Sequence, residues 1–383
     1  QQTTGGDATG ESGTGGNGIF SDGKLSIEKA TIKEATGGNA DNSTGGSGIR
    51  GDGSSNDFKL SIDSATITNA TGGSGKWGGS GILGKTMEIL TSTIKKATGG
   101  RSTGKESYHT GGAGISSYGG LTIQGGTTVQ AVGGNADSGT GGSGIRSGSD
   151  IRSGSDSRSG SDSRSGSLSI SGGTISATGG SGKSGGAGID SSGTVSISDG
   201  KIEQAAGGRA TGEDGTGGSG IRSNGTLTIK GGEIQQTAGG DATGKGGTGG
   251  SGIHSGSVVK IWGGTITKAT GGSGKSGGDG IGSYGALTIS GSAKIETAQG
   301  GASADGNGGS GISSGGILTI EGSANIGTAQ GGASTNGTGG SGKSGGAGVS
   351  TESGIVSIGN SDTPLDLTAT APDADNAIRS EER

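Results

Sequence analysis

A Gly-Gly-x-Gly motif closed by isoleucine, once by valine, returns along the whole chain, and this repeat constrains the fold more than any other feature. The anchors fall at Ile19, Ile49, Ile82, Ile115, Ile145, Ile189, Ile221, Ile253, Ile281, Ile312 and Val349. Each leads through a small polar turn to a triplet such as Leu121-Thr122-Ile123 or Leu287-Thr288-Ile289. A glycine-containing turn, a Thr-Ile-x-x-Ala segment and a glycine-rich connector complete the unit. Apolar residues at both ends of a triplet point to one side of a strand. Ile32, Ile67, Ile94, Ile234 and Ile266 hold one phase of the next strand, with Ala35, Ala70, Ala97 and Ala269 three residues later. A unit of roughly 30 residues cannot bury its apolar side alone, but stacked units close a continuous core. The expected fold is all-β: a parallel β-solenoid of about eleven coils over residues 1–362, with ordered Gly-rich connectors.

Composition supports a narrow ladder over a rounded globule. Glycine supplies 103 of 383 residues and apolar types only 24%, against about 45–50% apolar in a typical soluble domain. Collagen needs glycine at every third position and abundant proline, and this chain has two prolines. A disordered tract has no reason to repeat its few apolar residues in register.

The connectors have an order of their own. A short form, as in 179–189 and 271–281, alternates with a longer one in a long, long, short rhythm, and from Ile189 to Ile281 is one period of 92 residues. That regularity predicts packed backbone, in a polyproline-II-like or sheet-like layer, since glycine lets main chains approach closely. Residues 146–167 break the repeat with a tandem hexapeptide of alternating Arg and Asp, read as an inserted polar arm. With its GGxGI motifs, Leu-Thr-Ile triplets and Thr-Ile-x-x-Ala strands, the chain before its tail resembles the Gly-rich right-handed parallel β-helix proteins among secreted bacterial adhesins and surface fibres. The resemblance implies a right-handed solenoid and a structural or adhesive role outside the cell.

Little in the sequence points to catalysis, and no enzyme activity is expected. The chain has no cysteine and two histidines, His109 and His254, in unrelated surface phases. Acidic residues such as Asp63, Glu203, Glu233 and Glu296 occupy separate coils, unlike the clustered carboxylates of polysaccharide lyases. A stacked calcium repeat would need an acidic residue after the anchor, where Phe20, Arg50, Leu83, Ser116, Arg146, Arg222 and His254 stand. No cofactor and no metal site is expected. The net charge of −5 with interleaved signs offers no basic stripe for nucleic acid, and no run is long enough to span a membrane. Tyr118 and Tyr284 share one turn phase.

The termini direct the functional reading. Residues 1–19 align closely with 235–253, so the chain begins inside a coil, and Gln1 is read as a processed N-terminus after removal of a signal peptide. Ile355 to Ile358 begins a further coil, and residues 363–383 are expected to form a C-terminal cap or an inter-subunit strand. An uncapped solenoid end invites pairing with another chain. The expectation is a structural subunit of an extracellular filament or surface fibre, polymerising head to tail through Gln1, Gln2, Ile355, Ile358, Leu365 and Leu367. A monomeric adhesin or glycan-binding stalk is the alternative, with glycans or a cell surface as partner, and a lyase-like enzyme a weaker one.

Overall fold

The computed structural model describes residues 1–10, 12–52, 59–148, 166–334, 347–351, 355–358, 366–370 and 378–380. The inserted arm, apart from its two ends, and Leu365 therefore lie outside the described residues. No helix occurs among those described, and all named pairings are parallel. Each coil carries three short strands. The anchor strands, from Ile19–Ser21 to Ile378–Ser380, form a 12-stranded sheet of their own. The triplet strands and second strands stack in two further columns, which merge into one sheet because Leu168–Thr178 and Val195–Ala206 each run through both.

Side-chain alternation fixes the register. Ile221 lies opposite Ile253, Leu227 opposite Val259 and Ile229 opposite Ile261, so identical positions stack coil after coil. A shift of one residue would turn every apolar side chain outward. The resulting core is a file of Ile, Leu, Val and Ala, with most members wholly buried from Ile49 to Val349.

Corners need special backbone. Between triplet and second strand one residue turns left-handed, commonly a glycine such as Gly125, Gly232, Gly264 or Gly291. In the first three coils Lys29, Ser64 and Thr91 take that role with φ of 47°, 51° and 46°, strain that a β-branched residue tolerates poorly. After most anchors, from Ser117 to Ser314, a serine turns inward. Ser223, fully buried, donates its hydroxyl to Gly193 O of the preceding coil at 2.8 Å, and Ser255 donates to Gly225 O at 2.7 Å.

The connectors form a fourth ladder, made almost entirely of glycine backbone. Gly208 N–H donates to Gly186 O, Gly218 to Gly208, Gly240 to Gly218 and Gly250 to Gly240, each between 2.7 and 2.9 Å. The file continues unbroken from Gly332 back to Gly6, alternating a bond across one connector with a bond from its outgoing arm to the returning arm of the preceding coil. Buried backbone polar groups are thereby paired without regular strand.

The described parts of the C-terminal stretch pair with the coil before them. Asp366–Thr370 pairs with Asn325–Gln330, setting Leu367 opposite Ile326 and Ala369 opposite Ala329. Ile378–Ser380 pairs with Val349–Thr351. These described parts of 363–383 therefore continue the chain's own ladders, because Leu-x-Ala meets the same inward positions as Ile-x-x-Ala with one residue fewer.

Candidate functional site

The residues expected at an assembly surface fall into two groups at opposite ends of the stack. At one end Gln2–Thr4 pairs with Thr31–Thr36 in the second-strand column, and Gln1 O accepts from Lys33 N at 3.0 Å. The Gln2 side-chain amide donates to Glu34. At the other end Ile355 and Ile358 are 53% and 39% exposed, whereas Leu367 packs partly buried against the core. Among the described residues, the outermost strands of the three columns are Gln2–Thr4, Ile19–Ser21 and Leu25–Glu28 on one side and Asp366–Thr370, Ile378–Ser380 and Val356–Ile358 on the other. Both sets of outermost described strands belong to the same three columns.

The structure also assembles a groove that the sequence reading missed. The middle residues of the anchor strands alternate away from the core, and register places Arg146, Asp190, Arg222 and His254 in one row along the solenoid. The returning arms of the connectors form one wall, through Thr140, Ser143, Thr216 and Thr248, and the turns after the anchors form the other, through Ser192, Asn224 and Tyr284. The groove encloses about 1260 Å³. Residues some 30 apart in sequence with unlike side chains meet here; their shared place after the anchor was the only signal available.

Its electrostatics are graded along the floor. Arg146 and Arg222 flank Asp190, and the Ser143 hydroxyl lies 3.5 Å from the Asp190 carboxylate. Burial, and after it the Arg222 charge, push the His254 imidazole down from 6.5 to about 4, so it is neutral at pH 7. Tyr284 stands edge-on to it, ring centres 4.7 Å apart at 81°, while remaining 75% exposed. Chemically this is a polar channel with an aromatic face at one rim, suited to hydrogen bonding and ring stacking.

Two smaller clusters lie elsewhere. His109, expected on the surface, is buried in a connector against Trp77, 4.6 Å between ring centres, and beside Tyr108 at 4.5 Å. Its Nδ1 accepts from Glu106 N at 3.1 Å. Trp262 lies under the ammonium groups of Lys230 and Lys260, at 5.9 and 5.5 Å from its ring centre. Among the described residues no three His, Cys, Asp or Glu side chains converge as a metal cage, and no helix is long and apolar enough to cross a membrane. Comparison with protein-family models, curated proteins and solved structures gave no match.

Proposed function

We propose that the chain is a structural rod, the subunit of an extracellular filament or surface fibre whose copies stack end to end. The observation that carries this reading is the sameness of the coil-to-coil interface. Three strand ladders join successive described coils with the inward apolar positions in register apart from local bulges, and a glycine ladder runs beside them from Gly6 to Gly332. A second copy presenting edges from the same columns can add to them by the same hydrogen bonds, and a heterologous contact of this kind extends without closing. Electron microscopy and light scattering of the purified chain over a concentration series test it. Rods that lengthen in steps of one subunit are expected; a uniform monomer at every concentration overturns the proposal.

The groove favours a second reading, a monomeric adhesin or glycan-binding stalk. In that case the stacked coils serve as a stiff spacer, and the exposed face of Tyr284 beside a polar channel does the recognising.

A further inference from the structure

The groove on the anchor face runs along the stack, and its lining comes from the same positions of successive coils. Parallel strands stacked without offset repeat at about 4.8 Å, close to the length of one sugar ring in an extended β-1,4-linked chain. Thr216 and Thr248, both exposed and directly paired between coils, set hydroxyls along one wall at that repeat. Asn224 and Tyr284 stand on the opposite wall. A row of sites that follows the stack from coil to coil matches an extended, ribbon-like polymer better than a tightly helical one.

Charge narrows the class further. Along the floor Arg146, Asp190 and Arg222 alternate in sign, and Asp279 lines the same channel further along. A polyanion meets Asp190 and Asp279, and a polycation meets the two arginines, so each pays like-charge repulsion inside the groove. A neutral polymer with hydroxyls can donate to the carboxylates and accept from the guanidinium groups. Tyr284 keeps its ring exposed and braced against His254, a platform for the apolar face of a sugar.

We infer that this groove binds a neutral, extended β-1,4-linked polysaccharide lying along the rod axis, with one ring on Tyr284 and hydroxyls bonded to Thr216, Thr248 and Asn224. The inference rests on the stalk reading and needs no filament, so oligomeric state does not judge it.

Calorimetric titration of the full chain tests it with hexamers of β-1,4-linked glucose and of β-1,4-linked N-acetylglucosamine, their monosaccharides, the α-1,4-linked glucose hexamer, and polygalacturonate. At least one β-linked hexamer is expected to bind, with its monosaccharide and the α-linked hexamer weaker by about tenfold or more. Tyr284→Ala, at an exposed turn, is expected to weaken binding by about tenfold with the circular dichroism spectrum unchanged. Tyr108→Ala, outside the groove, is expected to leave it alone. Failure of both β-linked hexamers, preferential binding of polygalacturonate, or binding that survives both Tyr284→Ala and Thr248→Val overturns the inference. A stalk that binds glycan through another surface appears as the last of these outcomes, which separates failure of this groove from failure of the stalk reading.

Discussion

Glycine in the connector ladder is required by contact geometry. At Gly218 an added Cβ would lie 1.9 Å from Gly186 O and 2.5 Å from Gly186 C, both backbone atoms of the neighbouring coil. Neither can swing aside as a side chain would, and both belong to the unbroken hydrogen-bonded file. Gly218→Ala is therefore expected to cost about 3 kcal/mol or more. Gly126 has nothing within 4 Å of the same added atom, and Gly126→Ala is expected to stay within about 0.5 kcal/mol of the parent. Denaturant midpoints for the two variants check this, and equal losses would refute the contact argument. His254 supplies a second residue-scale outcome. In the folded chain it takes a proton only near pH 4, whereas the unfolded chain takes one near 6.5. Stability from this group is therefore complete above pH 6.5, falls as pH drops because the unfolded chain binds the proton first, and levels off below about 4. Between pH 7 and 4.5 the wild type is expected to lose about 2–3 kcal/mol more than His254→Gln, read from denaturant curves at both pH values. Comparing the pair cancels the carboxylates, which titrate in both proteins.

At the scale of the element, the strands were legible because their pattern has the period of the structure. Leu227-Thr228-Ile229 alternates apolar and polar, and that alternation sets which faces meet Val259 and Ile261. The corners were only half legible. Gly232 and Gly264 announce a left-handed turn, but Lys29, Ser64 and Thr91 adopt the same backbone without any local signal, because the ladders on both sides dictate the bend. Ser223 and Ser255 carry no apolar signal for burial, yet the corner bends them inward to meet carbonyls of the preceding coil. The connector phase pointed correctly to packed backbone, while its partners were invisible: Gly218 and Gly208 carry no side-chain pattern by which pairing could be read. His109 was misplaced for the same reason, since a segment without alternation does not reveal its inner side. The groove escaped because what repeats there is position, and its chemistry changes from Arg222 to His254 to Gly282.

At the scale of the whole molecule, the long-long-short rhythm of the connectors is a structural period. Each long connector reaches past a short one, and the short connector at Lys275 sits in a notch of about 410 Å³ between Lys245 and Asp305 on its neighbours. If adjacent arms must match in length to keep the glycine file continuous, the smallest unit that can be removed cleanly is three coils. Deleting residues 190–281, 92 residues, joins Ile189 to Gly282 and leaves a short connector between two long ones. Because each coil contacts only its neighbours, stability is a sum over coils and interfaces, and the shortened chain keeps every type of interface it had. It is expected to remain folded by circular dichroism and to shorten by about 14 Å in solution scattering, three strand spacings of about 4.8 Å. Deleting 190–253, 64 residues, removes fewer coils but sets two short connectors side by side. If the rhythm is structural, the smaller deletion lowers the melting temperature more than the larger one. The opposite order would mean that the connector arms are independent and that the three strand columns alone hold the coils together.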